Sequence, residues 1–214
     1  MNKLLKLTAL ASLIFAVQSF AQDHSHHNMH KNQTANDHSN HTAMNAAEVS
    51  HSESVYQIDA TWNTHKNSQL KLSELEGHPV ILSMIYGSCT TACPVLVHDV
   101  KRLYSKLDED TKQQVKLVMV SFDTDRDTPE ALADYVKQYR LNNDNWLFLN
   151  GSEQDIRTIA TVLGVRYRQR PDGDFDHSNL ITILDKQGLI VERIEGLSQP
   201  MEKPANVVAK LVND

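Results

Sequence analysis

The sequence predicts an α/β domain in which a central sheet is flanked by helices. Short apolar runs alternate with segments of helical periodicity, and the last two apolar runs are joined by a turn as a hairpin. The runs at 78–86 and 116–122 are continuously hydrophobic, which is typical of buried strands. We therefore expect both strands in the core, with residues 56–62 and 69–75 as an N-terminal strand-pair extension.

Residue-level signals mark the helices and the closing hairpin. A first helix is expected at Pro94, because proline is tolerated in a first turn and apolar residues recur at helical spacing after it. The turn at 185–188 joins strands 180–185 and 189–196, and a last helix covers about 203–212. This order, β-α-β-α-β then β-β-α with a cysteine pair after the first core strand, is the layout of a thioredoxin-like domain. Further helix boundaries are indicated by Thr128, Pro129, Ser152 and Gly164.

The first 21 residues have the features of a cleavable signal peptide. Lys3 and Lys6 precede an apolar run at 7–17, and a small-residue cleavage pattern follows at 19–21. The alternative is an uncleaved membrane anchor, for which the apolar run is short. We expect a periplasmic protein with no stable membrane insertion after cleavage. Loss of the two lysines changes the formal net charge from −6 to −8, and this acidic balance offers no basic face to a nucleic acid.

Residues 22–54 form a polar, histidine-rich segment that cannot bury a core, so we expect it to be disordered. Histidines beside methionines are typical of weak, exchangeable sites for copper, nickel or zinc. The alternative is a solvated linker in which the histidines are incidental. The folded domain is then expected over residues 55–214. The histidines of the segment are His24, His26, His27, His30, His38, His41 and His51.

The only two cysteines of the chain, Cys89 and Cys93, lie at the predicted start of the first helix. Unpaired N–H groups and the dipole at a helix N-terminus stabilise a thiolate, which predicts that Cys93 is primed to attack or to bind a metal. Cys89 can approach it to close a disulfide or a two-sulfur chelate. A purely structural disulfide is the less favoured alternative, because so short a loop removes little unfolded-state entropy.

One histidine is expected to face the two cysteines. His177 lies just before an apolar strand, and in a thioredoxin-like layout this loop meets the helix N-terminus. The alternative is a surface histidine in a polar loop. Asp174 and Asp176 could orient its imidazole or form a negative docking surface. An acidic cluster also follows the strand at 116–122, and it contains Asp123, Asp125 and Asp127.

Together these motifs resemble the Sco/SenC/PrrC family of copper chaperones and thiol oxidoreductases. The resemblance covers residues 55–212, and its motifs are Cys89-x-x-x-Cys93-Pro94, the run from Asp123 to Pro129, and Asp176-His177-Ser178. It implies a thioredoxin-like fold that holds one copper ion for delivery to a cuproenzyme such as cytochrome c oxidase. It also makes Asp123 a candidate for supporting the ligands or facing a partner. The implied copper ligands are Cys89, Cys93 and His177.

The chemistry of these three residues is compatible with copper. Two thiolates and an imidazole suit Cu(I) and can also accommodate Cu(II), whereas a structural zinc site usually has four protein ligands. The chain departs from many oxidase-assembly members of the family, which have a proline at the position of Thr90 and are often tethered by a membrane helix. These departures leave the client enzyme open.

An enzyme is the alternative class of function. A thiol-disulfide oxidoreductase would use Cys89 and Cys93 as attacking and resolving thiols, to reduce the cysteines of a copper site or other periplasmic disulfides. The run Thr90-Thr91-Ala92-Cys93 also fits the Thr-x-x-Cys core of peroxiredoxins, but Tyr86 stands where those enzymes carry proline. We favour a metallochaperone, and the two roles need not exclude each other because Cu(I) binding requires reduced cysteines.

Overall fold

A computed structural model describes residues 42–49, 51–141 and 143–213. The signal peptide expected at 1–21 lies outside the described residues, and so does most of the histidine-rich segment. Six of the histidines expected to collect metal therefore stay predictions: His24, His26, His27, His30, His38 and His41.

The described residues form a mixed α/β structure. The strands are β1 (Trp62–Thr64), β2 (Gln69–Leu70), β3 (Val80–Ile85), β4 (Lys116–Ser121), β5 (Trp146–Asn150), β6 (Tyr167–Gln169), β7 (Phe175–His177), β8 (Leu180–Leu184) and β9 (Ile190–Glu195). The helices are α1 (Ala92–Ser105), α2 (Glu109–Gln114), α3 (Pro129–Gln138), α4 (Glu153–Leu163) and α5 (Glu202–Asn213). None of these helices has the length and apolar character needed to cross a membrane.

Seven strands form one sheet in the order β2-β1-β5-β4-β3-β8-β9, and β6 pairs with β7 separately. The centre is parallel, because β3, β4 and β5 run in the same direction, whereas β8 and β1 pair antiparallel with their neighbours. Every residue of β3 is buried, as its continuous apolar sequence predicts, and every residue of β8 is buried as well. The predicted fold class, a central sheet flanked by helices with an N-terminal strand pair, is confirmed.

Capping signals in the sequence mark the observed helix ends. The hydroxyl of Thr128 accepts the Ala131 N–H at the start of α3, and Ser152 does the same for Asp155 at the start of α4. Gly164 ends α4 with a φ of 75° in the left-handed region. The N-terminal strands are shorter than predicted, because residues 55–57 and 72–75 form 3-10 turns.

Residues 42–49, which we call the strap, lie in an irregular conformation along the domain. The Met44 N–H donates to the carbonyl of His177 at 3.1 Å, and the Ala47 N–H donates to the carbonyl of Gly164 at 2.8 Å. The Ala46 N–H donates to Glu195 at 2.7 Å. The strap falls within the range 22–54 that we expected to be disordered, and these contacts show that its described part is hydrogen-bonded to the domain.

The strap contact at Gly164 gives a stability prediction. A β-carbon at this position would lie 2.5 Å from the Ala47 carbonyl oxygen, and the φ is positive. Gly77 is the matched control, since its φ is +89° and a β-carbon there meets nothing within 4 Å. Gly77→Ala should lose roughly 1–2 kcal/mol of unfolding free energy through backbone strain alone. Gly164→Ala should lose clearly more, as measured by urea denaturation.

The same two variants, made in a chain that begins at His51, test whether the strap causes the extra loss of stability. Without the strap, the excess cost of Gly164→Ala over Gly77→Ala should shrink, because the Ala47 carbonyl is gone. Equal losses for the two variants in the full chain would contradict the strap contact.

Candidate metal centre

The sheet brings together three segments that are distant in sequence, at one end of its central strands. Since β3 runs parallel to β4 and antiparallel to β8, the ends of β3 and β4 lie beside the start of β8. The loop after β3 carries Cys89, and α1 then begins at Ala92, which places Cys93 in its first turn. His177 ends β7, just before β8. Cys89 and Cys93 therefore meet His177, which follows Cys93 by 84 residues in the sequence.

The three side chains form a compact, buried cluster. The sulfur atoms of Cys89 and Cys93 and one ring nitrogen of His177 all lie within 4.8 Å of one another. The Cys93 Sγ is 3.7 Å from the His177 Nε2. Cys93 is fully buried, and Cys89 and His177 are each 3% exposed. Both cysteines are free thiols. The residues that the sequence predicts as ligands are thus brought together.

Backbone hydrogen bonding fixes the orientation of the His177 ring. Its Nδ1 lies 2.9 Å from the carbonyl oxygen of Ser178, to which it donates when it carries the proton. In that tautomer the Nε2, which faces Cys93, is unprotonated and can bind a metal. The strap fixes the same residue from the other side, because the Met44 N–H donates to the His177 carbonyl.

The two cysteines differ in electrostatics, and the charged one is not the one that the sequence indicates. The Cys93 thiol donates to Cys89, and this hydrogen bond lowers the pKa of Cys89 far below its ordinary value despite burial; the Cys93 N–H adds to it. Complete burial raises the pKa of Cys93 instead. The lowered pKa thus falls on Cys89, whereas the helix start alone indicates Cys93 as the primed thiol. The helix N-terminus acts on Cys89, since the first-turn N–H points at the preceding loop.

Aromatic rings pack against His177 of the cluster. The Phe122 ring centroid lies 5.2 Å from that of His177, and the Tyr86 ring meets His177 edge-on at 5.9 Å. Phe175 contacts both Tyr86 and Phe122. Sequence reasoning missed this shell. The only signal for it in the sequence is closeness along the chain, since each aromatic residue lies within three residues of Cys89, His177 or the acidic cluster.

A buried carboxylate ties the cysteine loop to the end of β4. Asp127 Oδ2 accepts the Gly87 N–H at 2.7 Å and the Ser121 hydroxyl at 2.5 Å. Burial raises the pKa of Asp127, and these two donors oppose that rise. Asp127 therefore holds Gly87 in the loop that carries Cys89.

The other two acidic candidates lie beside the cluster. Asp123 is buried and pairs with Arg126, whose guanidinium also donates to the Gly173 carbonyl. Asp176 accepts from the Arg168 guanidinium at 2.7 Å and from the Thr42 N–H at 3.2 Å, and the ion pair lowers the pKa of Asp176. Both carboxylates thus anchor segments around the site.

Comparison with known proteins places this geometry in context. The chain is 24% identical over 146 residues to the SCO1 protein homolog of Bacillus subtilis, a match that covers 66% of this chain and 75% of the relative. It is 27% identical over 118 residues to a protein of Stutzerimonas stutzeri, covering 53% of this chain and 56% of the relative. The chain therefore spans little more than half of the latter protein's length.

Solved structures share the fold. A copper-bound structure of Arabidopsis thaliana ScoI matches with a TM-score of 0.61 and 20% identity, covering 72% of this chain and 96% of that one. BsSco, described as a member of the Sco family of cytochrome c oxidase assembly proteins with a disulfide switch, matches with a TM-score of 0.62 and 22% identity over 73% and 94% of the chains. The predicted thioredoxin-like layout is confirmed by these neighbours. The family model for SCO1/SenC matches residues 48–213, and the chain belongs to this family.

Proposed function

We propose that this chain binds one copper ion through Cys89, Cys93 and His177 and passes it to a copper enzyme. The observation that carries the proposal is the close approach of two sulfurs and one unblocked imidazole nitrogen, all within 4.8 Å. Soft sulfur donors with one imidazole favour Cu(I) and can also accommodate Cu(II). The copper-bound structure of Arabidopsis ScoI supports the choice of metal.

The electrostatics of the cluster suit a metal that is loaded and released. Cys89 is already favoured as a thiolate. Binding a cation would therefore displace only the thiol proton of Cys93. Among the described residues, the cluster offers three such ligands, one fewer than a structural zinc site usually has. A three-ligand site leaves room for a ligand from an acceptor protein.

The client that we propose is cytochrome c oxidase or another exported copper enzyme. The family membership of the chain and the assembly role named for BsSco support a client of this kind. We also propose export to the periplasm by the signal peptide at 1–21, and weak accessory copper binding by the histidines between His24 and His41. A SCO1/SenC lipoprotein from Bacillus anthracis with a similar fold supports an exported location.

Ligand substitution tests the copper site. Cys89→Ala, Cys93→Ala and His177→Ala should each weaken Cu(I) binding by more than the roughly 10–100-fold typical of losing a residue that only supports a ligand. Each variant removes one of three donor atoms. The measurement is anaerobic titration of the reduced chain with Cu(I) against a competing chelator.

His78→Ala is the matched control, because His78 precedes β3 at the end opposite the cluster and bonds to Gln114. It should bind copper as tightly as the parent. A His177→Ala variant with unchanged affinity would show that the three-ligand site is wrong.

A thiol-disulfide oxidoreductase is the second candidate, and the asymmetry of the cysteines favours it. Cys89 as thiolate would attack a substrate disulfide, forming a mixed disulfide and releasing one substrate thiolate. Cys93 would then lose its proton and attack the Cys89 sulfur, which releases the second thiolate and leaves an oxidised Cys89–Cys93 pair. The disulfide switch named for BsSco supports this alternative.

The asymmetry itself gives a pH prediction. The ultraviolet thiolate absorbance of the reduced, metal-free chain should report one thiolate per chain well below the ordinary cysteine range, because the pKa of Cys89 is lowered. Cys89→Ser should remove this low-pH signal. Cys93→Ser should shift it to higher pH by weakening the hydrogen bond to Cys89. A low-pH thiolate that persists in Cys89→Ser and vanishes in Cys93→Ser would reverse the assignment.

A further inference from the structure

A small pit reaches the cluster from the strap side. It has a volume of about 140 Å³, and its rim is formed by the exposed residues Thr42 and Ala43. Its wall includes the buried ligand candidate His177 and Ala92, the residue before Cys93. Among the described residues, its lining is Thr42, Ala43, Ala92, His177, Asn179 and Leu197.

The larger cleft of the domain does not provide this access. Its volume is about 880 Å³, and its described lining includes Phe122 and Phe175 but none of the three cluster residues. Those two rings belong to the aromatic shell that packs around His177. A group that approaches from the cleft therefore meets aromatic carbon, whereas a group in the pit meets His177.

The lining of the pit indicates what it accepts. No charged side chain lines it among the described residues, so a neutral group is favoured over an ion. Two of its residues are alanines, which leave space beside His177. The Asn179 Oδ1 is buried and has no hydrogen-bond partner among the described residues. An unpaired buried acceptor is costly, and a side-chain rotation that turned it toward the pit would let an incoming N–H donor satisfy it.

We propose that this pit is a port for copper exchange, and that it admits a histidine imidazole of the protein that gives or takes the metal. An imidazole matches both features, because one ring nitrogen can bind copper while the N–H of the other donates to Asn179. The proposal rests on the copper site proposed above. It adds the route and the class of partner ligand.

The order of ligand exchange follows from burial and charge. The incoming neutral nitrogen forms a bond to copper as the bond from the His177 Nε2 breaks, so no proton or electron is transferred. His177 leaves first because it is the cluster residue that lines the pit, whereas Cys93 is fully buried behind it. The two sulfurs hold the ion until the acceptor supplies further ligands.

Free imidazole is the probe for this port. The full chain loaded with Cu(II) should form a one-to-one adduct with imidazole, detected by electron paramagnetic resonance. N-methylimidazole has no N–H for Asn179 and should bind more weakly, by roughly threefold to tenfold as expected for one hydrogen bond. Asn179→Ala should remove most of that difference. Ala43→Leu, which fills the rim, should weaken the imidazole adduct at least about tenfold, since the added side chain occupies the port.

Asn45→Leu is the matched control, because Asn45 is an exposed residue of the same strap that does not line the pit. It should leave the adduct unchanged. A parent chain that binds copper but forms no imidazole adduct, or an Ala43→Leu chain whose adduct is as tight as the parent's, would overturn the port. A parent chain that binds no copper would instead overturn the proposed function.

Discussion

The antiparallel pairing of β8 with β3 is the constraint on which the candidate site depends. It places the start of β8 at the edge where β3 ends, with Ser83 opposite Ile181. His177 is thereby brought to the loop of Cys89 and to the first turn of α1. If β8 ran parallel to β3, the start of β8 and His177 with it would lie at the opposite end of β3. Because both faces of these strands are buried, a shift of register would disturb close packing on both sides of the sheet.

The start of α1 and the burial of the two cysteines give their sulfurs different electrostatic surroundings. The Cys93 N–H and thiol both point at Cys89, which collects the negative charge, while Cys93 is sealed in the core. A cation that binds both sulfurs neutralises this charge where water is excluded. The same asymmetry gives one attacking and one resolving thiol. Copper handling and disulfide exchange thus draw on one arrangement of hydrogen bonds.

His177 has two kinds of surroundings. Aromatic rings pack against it, whereas a small pit beside Thr42, Ala43 and Ala92 leaves space next to it. The strap is held by backbone donors from Thr42 to Ala47, and one of them reaches the carbonyl of His177 itself. Access to the cluster and the position of its histidine therefore depend on the same segment. Under the proposed exchange port, this would link the N-terminal side of the chain to metal exchange.

The sequence by itself determined the elements and the residue types of the site. Caps at Thr128, Ser152 and Gly164 act over three or four residues, so their signals are readable locally. Only the tertiary structure decided which cysteine is charged, how the aromatic shell closes, and where the strap lies. These features depend on contacts between segments as far as 149 residues apart, for which a single sequence carries no local signal. Burial reversed the local preference of the helix start at Cys93, because desolvation outweighs the dipole there.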